Sequence, residues 1–368
     1  MRIVHFDSDS LGTPYAGGQA RRTHEINKRL ARRHDITVIT AGFQKLRDET
    51  VDGVRYRRML ALPHPMNFIW YFVELVPRAV WAHADLIVED FSSPLTASGL
   101  PMFVRTPVVG VASYLFGKQA AQRYHLPIDR WESAMVGRYG HIVALTGVQE
   151  AQLRASAPHA NIRIIPNGAD DNAFANPWVG DEEYIAFIGR LDWNMKRLDL
   201  LLDAAARLPE SLPLVIAGDG PGRERLERAI DERSIRSRVR TLGRLEGVAR
   251  HRFIAQAKAL AFTSRYENQS LVGLDALAVG VPIVAFDVDS SRELFGDAAA
   301  IVPAFDVDAF AAALVQLAGD TSRAQGLSAA ARARATSFTW NNAARDQEQF
   351  YGDALAREAG KGAAAAGA

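Results

Sequence analysis

The sequence predicts an α/β protein of two doubly wound parallel-sheet (Rossmann-like) domains facing a central cleft. Three observations carry this. Short apolar runs rich in β-branched residues alternate with helical patterns along most of the chain. The runs show little polar alternation, as in strands covered on both faces. The series also restarts after a cluster of turn residues near the middle, and 368 residues suit two ordinary cores better than one.

The first series reads IVHF (Ile3–Phe6), a helix from about Gln19 to Arg33, ITVIT (Ile36–Thr40), LIVE (Leu86–Glu89), VVGVA (Val108–Ala112), IVAL (Ile142–Leu145) and IRII (Ile162–Ile165). Its crossovers are expected to be right-handed. The first strand and helix are joined by DSDSLGTPYAGG, in which Asp7 and Asp9 read as turn residues and Gly17 and Gly18 stand just before the helix. A glycine pair there lets backbone come close to a ligand while the helix terminus offers N–H donors. The loop is too long for the G-x-G-x-x-G dinucleotide fingerprint and lacks its third glycine. Met66–Trp81, the most aromatic stretch, is too short to cross a bilayer and carries Glu74, Pro77 and Arg78. It reads as a buried or half-buried helix, with an apolar acceptor pocket or a weak peripheral membrane contact as the sharper alternatives. The arginines of Arg21–Arg33 read as a solvated helix face.

IPNGADDNAF (Ile165–Phe174) ends that series in turn chemistry, which sets the domain boundary: 1–170 before it and 171–325 after it. The second series runs IAFI, a helix with Leu198, Leu201, Leu202 and Ala205 on one face, LVIAG, a helix near Glu224–Asp231, VRTL, a helix from about Val248, ALAFTS, IVAF and AIVP. Helical patterns occupy 326–357, and 358–368 (EAGKGAAAAGA) reads as a disordered tail with nothing to bury.

Composition excludes several functions. Lys plus Arg is 43 against 42 for Asp plus Glu, so a net charge of +1 exerts no long-range pull on nucleic acid, and no nucleic-acid partner is expected. The absence of cysteine removes disulfides, thiolate metal sites and cysteine nucleophiles and suits a reducing compartment. No signal-type leader precedes IVHF, so a cytoplasmic location is expected. The nine histidines lack metal-ligand spacing and no G-x-S-x-G elbow occurs, so neither a metal site nor serine hydrolysis is expected.

The chemistry concentrates at one predicted sheet edge. SRYENQSLVGLDAL (Ser264–Leu277) follows a strand and opens a helix, where open parallel sheets bind ligands and helix N–H groups meet phosphate. Glu267 and Asp275 place two hydrogen-bond acceptors at different depths there. GRLDWNMKR (Gly189–Arg197) brings Arg190 and Lys196 to the same edge. A guanidinium grips two phosphate oxygens and an ammonium adds a mobile charge, so the pair suits a diphosphate.

Together these stretches resemble the family 4 glycosyltransferases, retaining enzymes of the GT-B fold that use nucleotide sugars. The glycine loop GGQARRTHEINKRLARRHDITVIT, PNGAD at Pro166–Asp170, GRLDWNMK, AGDGPGRERLE from Ala217, VRTLGRL and SRYENQSLVGLDALAVGVPIVA carry the resemblance. It implies that Arg190 and Lys196 neutralise a donor diphosphate and Glu267 holds sugar hydroxyls. It further implies that backbone of Asn268, Gln269, Ser270 and Leu271 meets sugar or phosphate, and that Asp275 binds ribose. Backbone near Arg244 and Leu245 would contact the base, Gly17 and Gly18 the phosphate, and the last helix would return to the first domain. Asp275 is one methylene shorter than the family's glutamate, and Lys196 falls one residue later than usual. The family's acceptor-side histidine is replaced by EDFSSP and Ser113, which makes Glu89, Asp90 and Ser113 the acceptor-binding candidates. The acceptor would be a glycan, a lipid-linked sugar or a small natural product; no cofactor beyond the nucleotide-sugar co-substrate is implied. Two other classes compete: a GT-B-type sugar-nucleotide epimerase, and a catalytically degenerate nucleotide-sugar-binding subunit.

Overall fold

The computed structural model describes residues 1–9, 11–13, 17–43, 46–63, 66–91 and 97–366. The chain divides into two compact units, Met1–Pro166 with Trp340–Ala368, and Asn167–Thr339.

The first unit holds strands β1 (Arg2–Asp7), β2 (Asp35–Gly42), β3 (Glu49–Val51), β4 (Val54–Ala61), β5 (Leu86–Asp90), β6 (Val108–Val111), β7 (His141–Ala144) and β8 (Asn161–Ile164). Its helices include α1 (Gly18–Leu30), α2 (Met66–Val80), α3 (Gly117–Tyr124), α4 (Ile128–Val136) and α5 (Gly147–Ser156). The sheet order is β3-β4-β2-β1-β5-β6-β7-β8. Pairing is parallel throughout except for β3 with β4, an antiparallel hairpin at the edge. The hairpin turns at Asp52 and Gly53, both with positive φ (51° and 82°), the mirror-image turn whose twist matches that of strands. β1 lies between β2 and β5, so the strand order reverses there and a crevice opens at the carboxyl ends of β1 and β5. Helix α2 carries apolar residues on both sides: Tyr71, Leu75 and Ala79 are buried, while Met66, Ile69, Val73 and Val80 are exposed. No helix among the described residues is long and apolar enough to cross a membrane.

The second unit holds α6 (Asp171–Phe174), β9 (Ile185–Ile188), α7 (Leu198–Ala205), β10 (Leu214–Ala217), α8 (Arg223–Glu232), β11 (Val239–Gly243), α9 (Gly247–Gln256) and β12 (Ala259–Phe262). It continues with α10 (Leu271–Val279), β13 (Ile283–Phe286), α11 (Asp289–Phe295), β14 (Ala300–Val302), α12 (Val307–Gly319) and α13 (Thr321–Ala335). The six strands run parallel in the order β11-β10-β9-β12-β13-β14. Alternate residues of one strand enter different cores: Ile185 and Phe187 pack on one face of the sheet, Ala186 and Ile188 on the other. That two-sided burial is why the strands read as unbroken apolar runs. Here the order reverses between β9 and β12.

The last helix, α14 (Trp340–Ala366), belongs to the first unit. It buries Trp340, Phe350 and Tyr351 and exchanges polar contacts with α1, including Arg22 to Gln347 at 2.8 Å and Arg29 to Asn341 at 2.7 Å. The helical region expected to return as a block from residue 326 is therefore divided. α13 stays with the second unit, its Arg332 donating to the carbonyl of Ala278 at 3.0 Å. The terminal run expected to be disordered has helical backbone to Ala366, in keeping with alanine's high helix propensity.

The loop after β10 is built from close backbone approaches. Gly218 donates its N–H to the carbonyl of Gly243 at 2.7 Å, and Leu191 donates to the carbonyl of Asp219 at 2.9 Å. A Cβ on Gly218 would fall 1.9 Å from the carbonyl oxygen of Gly189, so only glycine lets this loop brace the segment after β9. Gly218→Ala is predicted to destabilise the chain by roughly 1–3 kcal/mol through overpacking. Thermal unfolding checks this, and an unchanged midpoint would contradict it.

Candidate functional site

The carboxyl ends of β9 and β12 carry the candidate site. After β9, residues 190–197 form a tight turn: Asp192 accepts from the amide of Met195 at 3.0 Å, and its carbonyl accepts from the amide of Lys196 at 3.0 Å. Arg197 then takes a left-handed conformation (φ 48°) as the chain enters α7. A non-glycine residue with that backbone is uncommon and marks a turn held by its surroundings. The segment after β12 is stitched to this turn. The Thr263 hydroxyl donates to the carbonyl of Lys196 at 2.7 Å, and the Arg265 amide donates to the carbonyl of Met195 at 2.9 Å.

Two loops far apart in sequence thus bring opposite charges together: the Lys196 ammonium donates to Glu267, which also accepts from the Ser264 hydroxyl at 2.8 Å. The two side chains are 17% and 18% exposed, so the pair is partly shielded yet open to a ligand. Arg190 stands exposed at the same edge and makes no ion pair among the described residues. Ser270 caps α10, its hydroxyl oxygen accepting from the amide of Gly273 at 3.2 Å. The amides of Leu271 and Val272, at the first helical positions, have no intrahelical acceptor and are the natural anion donors.

The remaining predicted residues divide. Asn268 accepts from the Tyr266 hydroxyl at 2.6 Å, whereas Gln269 turns to the chain after β8, its side-chain oxygen accepting from the amide of Asn167 at 2.5 Å. Arg244 is exposed and pairs with Glu246 at 2.7 Å, and Leu245 packs against the sheet core. Asp275 is buried on α10, one oxygen accepting from the amide of Asp170 at 2.8 Å and the other bonded to Arg250, with His251 at 3.7 Å. α10 is buried from Gly273 to Val279, and the Asp275 carboxylate is bonded within the protein. The sequence reading missed Arg250; its only signal is a basic pair, Arg250 and His251, inside an otherwise sheet-facing helix.

The first unit's switch point carries a buried polar network. Asp90, at the end of β5, accepts from Ser113 at 2.9 Å and His5 at 2.7 Å, so these predicted residues do come together. Asn27 stands 2.8 Å from the other ring nitrogen of His5, which places the His5 proton on Nε2, toward Asp90. Thr23 Oγ1 is 2.6 Å from Asp7 and 2.9 Å from Asp90. One hydroxyl proton cannot serve both. Burial first, then the Asp90 and Asp9 carboxylates, push the Asp7 carboxyl well above its ordinary range. Asp7 also accepts from the Gln19 side chain at 2.6 Å, and Asp9 from the Gly17 amide at 2.9 Å. That amide is one of those expected to face phosphate; Gly18 opens α1 beside it. Of EDFSSP, Ser92, Ser93 and Pro94 lie outside the described residues, as do Ser10, Pro14, Tyr15 and Ala16 of the glycine loop.

Glu89 is not open to an acceptor. Adjacent strand residues face opposite ways, and Glu89 points into the interior, accepting from Tyr139 at 2.5 Å and from the amide and hydroxyl of Ser98 at 3.0 and 2.9 Å. Burial pushes its carboxyl up to about 7.

Family models match both halves: "Glycosyl transferases group 1" over residues 169–334 and "Glycosyltransferase Family 4" over residues 16–173. The fold is GT-B. The chain belongs to the family 4 glycosyltransferases. It is 24% identical over 317 residues to an uncharacterized glycosyltransferase of Methanocaldococcus jannaschii, covering 76% of this chain and 78% of that one. It is 26% identical over 378 residues to a glycogen synthase of Mycobacterium tuberculosis, covering 91% of each. Among solved structures, sucrose-phosphate synthase of Thermosynechococcus elongatus matches with a TM-score of 0.83 at 20% identity, over 97% of this chain and 99% of that one. HepE of Anabaena in complex with UDP and glucose matches with a TM-score of 0.72 at 17% identity, over 94% and 98%.

The raised Glu89 pKa sets a pH dependence. In the unfolded chain the carboxyl ionises near the ordinary glutamate value of 4.5, whereas the folded chain keeps the proton to about 7. Its contribution is therefore full below the lower value and is lost as pH rises through the upper one. Between pH 5 and pH 7 the wild-type chain is predicted to lose stability relative to Glu89→Gln, by at most about 3 kcal/mol. Unfolding midpoints that move in parallel for the two proteins would contradict this.

Proposed function

We propose that the chain is a retaining glycosyltransferase that moves a sugar from a nucleoside-diphosphate sugar to an acceptor hydroxyl, and that Arg190, Lys196 and Glu267 act on the donor. The observation that carries this reading is the Lys196–Glu267 pair at the β9/β12 switch point, beside exposed Arg190 and the open start of α10. A diphosphate reaching this edge meets two cations and a helix amino terminus. Lys196 exchanges part of its bond with Glu267 for phosphate oxygens, and the freed carboxylate accepts from sugar hydroxyls. Backbone from Asn268 to Leu271 meets sugar or phosphate, and backbone at Arg244 and Leu245 meets the base. Asp275, bonded to the Asp170 amide and Arg250, would meet ribose by exchanging one of these partners.

In the transfer step the glycosidic bond to the diphosphate breaks and the acceptor oxygen bonds to the same face of the sugar. The acceptor proton passes to a phosphate oxygen, and Arg190 and Lys196 stabilise the charge on the leaving group. The two cations fill the role that a metal plays in other nucleotide-sugar enzymes, so the reaction is proposed to be metal-independent. Ser113, partly exposed just after β6, remains the acceptor-side candidate, with buried Asp90 bonded to its hydroxyl and positioning it. HepE's complex with UDP makes UDP-linked sugars the first donors to test.

The test is release of nucleoside diphosphate from nucleotide sugars in the presence of mixed acceptors. Lys196→Ala and Glu267→Ala are each predicted to lower turnover by roughly 10²–10⁴-fold, with little change in unfolding midpoint because both side chains are partly exposed. EDTA is predicted to leave wild-type turnover unchanged. Near wild-type turnover in both variants would overturn the assignment of the site.

A further inference from the structure

We propose that the groove between α8 and the start of α7 binds a small phosphate monoester, at a site separate from the Lys196–Glu267 pair. This reading does not rest on the glycosyl-transfer reading. The groove has a volume of about 430 Å³, within the range of small-molecule sites. Arg225, Arg228, Ala229, Glu232 and Arg233 fall three or four residues apart, which puts them on one helical face. Ala229, buried against the core, forms part of the lining. Trp193, from the turn after β9, closes one wall, and the Arg225 guanidinium lies over its ring at 4.2 Å. That stacking fixes a guanidinium fork in place and lowers the entropy lost when it grips an anion.

The charges in the groove are unevenly spent. Arg233 is held by Asp203 at 2.9 Å, and Asp199 is taken by Arg197 at 2.8 Å. Arg225 and Arg228 make no ion pair among the described residues, so two guanidinium groups on one helix face are available. Side chains at that spacing have Cβ atoms about 5–6 Å apart, close enough for both forks to grip one tetrahedral phosphate. Glu232, at the same groove, cannot face phosphate favourably but can accept from a hydroxyl. A phosphate at the arginine end and a hydroxyl at the glutamate end define a phosphate monoester of a small hydroxylated molecule. Inorganic phosphate satisfies only the first half.

The experiment is calorimetric titration of the full chain with glycerol 3-phosphate, with inorganic phosphate and glycerol in parallel. Three proteins are compared: wild type, Lys196→Ala, and the double variant Arg225→Ala with Arg228→Ala. Wild type and Lys196→Ala are expected to bind one equivalent with the same Kd, and the double variant at least about tenfold more weakly, as loss of charge-assisted bonds requires. Glycerol 3-phosphate is expected to bind more tightly than inorganic phosphate, and Glu232→Gln to narrow that difference. Both arginines are exposed, and the single variant Arg228→Gln repeats the comparison should the double variant unfold. Equal binding by wild type and the arginine variants overturns the proposal. So does binding that disappears in Lys196→Ala but survives in the arginine variants, which places the phosphate at the donor edge. Absence of saturable binding to wild type up to about 10 mM likewise overturns it.

Discussion

The Lys196–Glu267 ion pair depends on sheet topology more than on either side chain. Glu267 and Lys196 are 71 residues apart and meet because β9 and β12 are neighbours whose connections leave in opposite directions. A crevice at the carboxyl ends of such strands follows from the winding itself. The Thr263 hydroxyl and the Arg265 amide hold the two loops together by bonding to main-chain carbonyls of the Lys196 turn. The glycine loop after β10 braces that turn from the other side. The charges are thus presented by scaffolding anchored on main-chain carbonyls, which survives exchange of one ion partner for another. A site meant to trade a carboxylate for a phosphate needs that property.

The first unit uses its own switch point differently. At the ends of β1 and β5 the polar groups are bonded to one another through Asp7, Thr23, Asp90, His5 and Ser113, and all but Ser113 are buried. Such a network is rigid because every deletion strands a buried partner. The crevice of the first unit is therefore a preorganised polar floor, whereas that of the second exposes charge to solvent.

The strands were legible because burial on both faces removes polar alternation, leaving runs such as IAFI and IVAF that few other contexts produce. The basic and acidic residues of the second unit were legible for a related reason: they directly follow such runs. Other features turn on geometry that spacing does not carry. Glu89 and Asp90 are adjacent carboxylic residues, and only the pleat decides that Glu89 bonds Tyr139 and Ser98 while Asp90 joins His5, Thr23 and Ser113. Asp275 sits at helical spacing from Glu267, yet its helix is buried from Gly273 to Val279, and Arg250 bonds its carboxylate. The β3–β4 hairpin carries a strong local signal in its Asp-Gly turn, but its strands lack the unbroken apolar run of the others. The division between α13 and α14 could not be read, because an amphipathic pattern says that a helix has a buried face and not which unit covers it.

The measurement that tests the central claim most directly is a thermal-shift panel of UDP-, GDP-, ADP- and dTDP-linked sugars in EDTA, run on wild type and Lys196→Ala together. Stabilisation grows as RT ln(1 + [L]/Kd), so a millimolar ligand reports even modest affinity. The account predicts that one base class raises the wild-type midpoint without metal and that Lys196→Ala loses most of the shift. Equal shifts in both proteins, or none with any donor, would contradict it.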